Sequence, residues 1–157
     1  MSRTIDPVRD VVATVLRAAG FAKKGDGWYR ESDEVLEVFN VQRSQFGGQH
    51  YLNYALWLKA LGEPVYPKEH QCHIRLRADT VATRPEAVER LLAIGHDDAG
   101  RAEALSHFMT AEFLAFAESC RSIESLRSLA AAGKFAASFV SAKARAILST
   151  GAAVVNP

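Results

Sequence analysis

The hydrophobic pattern of this chain changes period twice, and that limits the folds open to it. Val8, Val11, Val12, Val15, Leu16 and Ala19 recur at helical spacing, which puts them on one apolar stripe. From about Ala22 to Ala78 the pattern becomes alternation among β-branched and aromatic residues, as in strands. Beyond Thr83 helical spacing returns. A block of alternation between helical blocks predicts an α+β fold: an N-terminal helix, a four-stranded antiparallel meander, and C-terminal helices covering one sheet face.

Turn residues punctuate these blocks. Asp6-Pro7 suits a helix start. Gly20 suits a left-handed stop, after which Phe21 folds back onto Leu16. "GDG" at 25–27 turns between short extended pieces. Three longer strands, "VLEVFNVQRS", "QHYLNYALWLKAL" and "QCHIRLRAD", are joined by "QFGG" and by "GEPVYPKEH", whose prolines exclude a regular central strand. Thr83 and Glu86 form a capping-box pair around Pro85, opening a short helix with Val88, Leu91 and Leu92 that closes at Gly95. Asp97 or Asp98 caps a longer helix carrying Leu105, Phe108, Met109, Phe113 and Phe116. Ser122 caps the next, with Ile123, Leu126 and Leu129, stopped by Gly133. A last helix runs from about Lys134 to Ser149, carrying Phe135, Phe139, Val140, Ile147 and Leu148, and residues 150–157 form a frayed tail. The chain is expected to be a single domain over residues 1–157, with a helix at 1–20, the sheet at 21–78 and a helical part at 83–149.

Strand phase decides which side chains can meet. Leu52, Tyr54, Leu56 and Leu58 share one face; Tyr51, Asn53, Ala55 and Trp57 share the other. Cys72, Ile74 and Leu76 oppose His73, Arg75 and Arg77. The strand at 35–44 is ambiguous alone, and the hairpin arbitrates. With Gln45 to Gly48 as a four-residue loop, Ser44 stands opposite Gln49, Gln42 opposite Tyr51 and Asn40 opposite Asn53. Phe39 and Val41 then join Leu52 and Tyr54, at the cost of a Glu37 beside Leu56. The amides Asn40, Gln42 and Asn53 fall on the face of Trp57, His73, Arg75 and Arg77. That second face is expected to be open, polar, aromatic and locally basic.

The stretches "GFAKKGDGWYRE", "VFNVQRSQFGGQHYLNYALWL" and "CHIRLR" together resemble the bacterial domain of unknown function family 4304. The likeness lies in a "GF-K-KG-W" start, a "VN-Q-S" strand with a glycine turn, and a later "C-H-I-R-x-R", over about residues 8–78. It implies a shared α+β scaffold and names no reaction, cofactor or partner.

Totals narrow the function classes. The 157 residues carry a net charge of +1, so no global field draws nucleic acid or an anionic membrane. Two cysteines without close spacing make no disulfide framework and fit a reducing cytoplasm. The start lacks a signal-peptide core, and no apolar run reaches the roughly 18–20 residues of a membrane span. His70, Cys72 and His73 do not converge as metal ligands on a strand. Glu103 and His107 suit a surface pair, and the glycine turns lack phosphate-loop spacing. Catalytic, metal and cofactor sites are therefore expected to be none. The candidate ligand-binding set is Asn40, Gln42, Asn53, Trp57, His73, Arg75 and Arg77. It suits a cytoplasmic binding or interaction module, whose partner is another protein (an immunity-like pairing is one version) or a small anionic ligand. The alternative is a small enzyme or sensor for a phosphorylated or carboxylated metabolite, with His73 as proton carrier and the arginines as anion grip. A weak nucleic-acid binder comes third.

Overall fold

The computed structural model describes residues 7–93 and 100–153. Helix α1 (Pro7–Ala18) buries Val8, Val12, Val15 and Leu16, the stripe read from the sequence. Its stop is as expected: Gly20 has φ +96°, and the Phe21 N–H donates to the Leu16 carbonyl at 2.9 Å. The Asp6 cap, the Gly95 stop, the Asp97 or Asp98 cap and the end of the tail lie outside the described residues.

Six strands follow in one antiparallel sheet: β1 (Ala22–Lys24), β2 (Gly27–Glu31), β3 (Val35–Arg43), β4 (His50–Leu58), β5 (Ile74–Arg77) and β6 (Phe139–Val140). Spatial order is sequence order throughout. The expected four strands thus become six. The pieces around "GDG" are two separate strands, and Phe139–Val140 leaves the helix expected at 134–149 to pair with Ile74 and Arg75. Gly133, at φ +78°, starts the turns that make this exit possible.

The β3–β4 register is the predicted one. Ser44 N–H donates to Gln49 O at 2.9 Å, and Asn40 faces Asn53, Gln42 faces Tyr51 and Glu37 faces Leu56. Arg75 pairs with Ala55 and Leu76 with Tyr54, so Arg75 and Leu52 lie on opposite faces.

The helices cover the first face: α2 (Pro85–Leu91), α3 (Arg101–His107), a π-helical turn (Phe108–Phe113), α4 (Leu114–Glu118), α5 (Ile123–Ala131) and α6 (Ala142–Ala153). Helix α6 runs into the stretch expected to be tail. The Ser122 cap forms, its hydroxyl accepting from Ser125 N–H at 3.1 Å. The Thr83 capping box does not: Arg84 is the N-cap, with Pro85 in the first turn, and Thr83 N–H donates to Glu112 instead.

One large core joins α1, the first sheet face and the later helices. Phe113 is its keystone, edge-on to Phe39 at 5.1 Å and to Tyr54 at 4.9 Å, geometry that adds to plain burial. Glu37 is fully buried on this face because its charge is matched. Arg30 grips it bidentately at 2.7 and 3.0 Å, Tyr54 Oη donates to it at 2.6 Å, and Arg121 Nε lies 3.3 Å away.

Candidate functional site

The second sheet face is not open across its width. The connection from Lys59 to His73 crosses it as a strap. Trp57 Nε1 donates to Gly62 O at 2.8 Å, Tyr29 Oη to Pro67 O at 3.1 Å, and the Arg75 guanidinium pairs with Glu69 at 3.1 Å. Cys72 closes the contact, packing on Val38 and Ala55 beside Tyr29 and Trp57. It was expected on the face of Ile74 and Leu76. That expectation fails because β5 begins at Ile74, so Cys72 belongs to the strap and strand alternation does not apply to it. Burial pushes its thiol up to about 12, far from the thiolate a nucleophile needs.

The strap divides the seven candidate residues. Asn40, Gln42 and Asn53 stay together: the Asn53 amide donates to Asn40 Oδ1 at 2.8 Å and to Gln42 Oε1 at 2.9 Å. Asn53 is buried and spent on this ladder, while Asn40 and Gln42 are progressively more exposed. The Trp57 and His73 rings meet at a tilt of 46° with centroids 4.3 Å apart. The His73 Nδ1 accepts from Leu58 N–H at 2.9 Å, which fixes the neutral ring with its proton on the other nitrogen. Burial, then the charge of Lys143, holds the His73 pKa below its ordinary value. Arg75 is committed to Glu69 and lies over the Phe139 ring. Arg77 alone of the basic pair is exposed, its guanidinium 3.8 Å above the Tyr51 ring. His73, Arg75 and Arg77 therefore do not converge on one anion.

A different set does converge. Between the β1–β2 turn, β3 and the strap lies a cavity of about 340 Å³, lined by Lys24, Asp26, Tyr29, Asn40, Tyr66, Lys68, Glu69 and His70 among others. Only Asn40 belongs to the set expected from sequence. Tyr29 and Tyr66 stand edge to face at 5.4 Å, and Lys24 Nζ sits 3.8 Å over the Tyr66 ring. Glu69 is neutralised by Arg75, leaving two ammonium groups against Asp26. Tyr66 adopts φ +42°, a left-handed conformation that costs a bulky residue about 1–3 kcal/mol and clusters at functional sites. Gly27 packs closely here: a Cβ would come to 3.0 Å from the Tyr29 ring, which would have to shift to admit it. The one sequence signal for this cavity was Tyr66 itself, an aromatic set between prolines where a plain linker needs none.

Among the described residues no group of His, Cys, Asp and Glu converges to hold a metal, and no helix is long and apolar enough to cross a membrane. A family model described as a domain of unknown function, DUF4304, matches residues 12–119. No curated protein and no solved structure matches the chain.

Proposed function

The chain belongs to the DUF4304 family, whose description carries no activity, and from that premise we propose that it is a binding module for a small aromatic or heterocyclic anion held between the sheet and its strap. The observation that carries this reading is the 340 Å³ cavity, a volume within the roughly 300–1,000 Å³ of small-molecule sites. Its tyrosines offer ring faces and edges. Lys24 and Lys68 offer charge to a carboxylate or phosphate, and Asn40 an amide. Catalysis is the weaker version, since His73 Nδ1 is occupied by the backbone and the Cys72 thiol is raised.

Thermal unfolding with inorganic phosphate, phenyl phosphate and phenylacetate tests the reading. The aromatic anions are expected to stabilise the chain, by about 2.7 kcal/mol at a hundredfold excess over Kd, which is a Tm rise of roughly 5–10 °C. A Lys24→Ala, Lys68→Ala double variant is expected to lose that rise. Equal responses in variant and wild type, or no response to any of the three, would sink it.

A second reading, recognition of another protein, is favoured by the other end of the same face. Arg77 stacked on Tyr51 stands beside Gln42, and Phe46 at the β3–β4 tip is 89% exposed. An immunity-type pairing would use this surface. Its mark is a captured partner lost from Arg77→Glu and Phe46→Ser but retained by the lysine double variant.

A further inference from the structure

A larger groove lies beside β6, where α5, the turns after Gly133 and α6 meet. Its volume is about 510 Å³. Phe135, Val140 and Leu148 make its apolar wall, and Arg127 and Arg145 line it with them. Arg127 is held in place: its Nε donates to the Ile147 carbonyl at 3.1 Å, which ties α5 to α6 and leaves the two terminal nitrogens of the guanidinium for another acceptor. Among the described residues neither arginine has a carboxylate within ion-pair distance, unlike Arg30, Arg75, Arg84 and Arg121.

Apolar wall and unneutralised charge together restrict the occupant. A neutral apolar molecule would leave both guanidinium charges without a counter-charge. A small inorganic anion would leave the wall wet, although apolar burial is the larger source of affinity in such grooves. A guanidinium fork matches a carboxylate or a phosphate. We infer that this groove binds an amphipathic anion, a single carboxylate or phosphate head on an aliphatic tail, with Arg127 and Arg145 at the head and Phe135, Val140 and Leu148 along the tail. The groove lies outside residues 12–119, so it stands or falls separately from the cavity under the strap.

Calorimetric titration of the full chain with decanoate, decyl phosphate, decanol and acetate, all below micelle formation, tests this. Decanoate or decyl phosphate is expected to bind at least about tenfold tighter than decanol or acetate, the scale of one charge-assisted hydrogen bond. The tighter of the two names the head group. Arg145→Gln, at an exposed position, is expected to weaken binding about tenfold. Arg145→Lys is expected to restore part of it. Ala136→Trp, also exposed and on the groove's rim, is expected to fill the groove and abolish binding without loss of helical circular dichroism. Lys23→Ala, exposed on β1 at the opposite edge of the sheet, is expected to leave decanoate and decyl phosphate binding unchanged. Neither decanoate nor decyl phosphate binding tighter than decanol, or binding of the tighter one unchanged in both Arg145→Gln and Ala136→Trp, overturns the inference. So does a sedimentation result in which the groove is closed by a second copy of the chain.

Discussion

Glu37 is the residue at which the sequence pattern conflicted with itself, a charge in phase with Val35 and Phe39 and opposite Leu56. The conflict was legible, and its resolution was not. Arg30 sits on the neighbouring strand, but Arg121 and Glu118 come from a loop and helix some 80 positions further on, a separation no local pattern reports. A buried carboxylate held by two arginines and a tyrosine hydroxyl is costly to leave half-paired. Glu37→Ala takes the bidentate partner from the buried Arg30, leaving it Glu118 at 2.8 Å, and urea unfolding is expected to show a loss of about 3 kcal/mol. Arg30→Met with Glu37→Leu, which removes both charges at similar volume, is expected to lose clearly less. Equal losses would mean that packing rather than charge pairing dominates here. The same distance problem hid Lys24, Tyr66 and Lys68 as a set, because nothing in their spacing shows that the strap folds back over β1.

At the scale of elements, the β3–β4 hairpin was readable because two independent constraints agree on it: the four-residue loop and the matching of apolar faces. The amide row adds a third. Asn53 spends both donors of its amide on Asn40 and Gln42, so it pins the two strands and is no longer free for a ligand. Replacing it with Val is expected to cost about 1–3 kcal/mol, two net hydrogen bonds. Arg77→Ala, exposed beside it, is expected to stay within about 0.5 kcal/mol. Chemical denaturation of both variants separates pin from surface, and the pin fails if the order is reversed. The strap and β6 were beyond reach for a shared reason. A proline-containing connection has no period, and a two-residue strand is too short to show one. Both are held by partners distant in sequence: the strap by Tyr29, which bonds Pro67, and β6 by Ile74 and Arg75.

For the whole molecule, His73 links parts that the sequence keeps far apart. Its ring accepts from β4, packs at a tilt against Trp57 and feels the charge of Lys143 on α6. Its pKa is depressed in the fold from an ordinary 6.5, so the unfolded chain takes up this proton first as pH falls. Stability from this residue is complete above that ordinary value and is lost as pH drops through the lower folded one. His73→Gln is expected to flatten the fall in unfolding free energy between about pH 7 and pH 5, measured by urea midpoints at each pH. A variant that falls as steeply as wild type would remove His73 from this role. The strictly sequential strand order has a consequence in time. During synthesis, β1 to β5 can zip together hairpin by hairpin as soon as Arg77 has emerged. Phe113, which fills the space between Phe39 and Tyr54, is made a few seconds later at roughly 5–20 residues per second. For that interval much of the sheet's first face is dressed only by α1. A nascent chain that folds in this order passes through a stage in which its sheet is already formed and the apolar first face still waits for most of its cover.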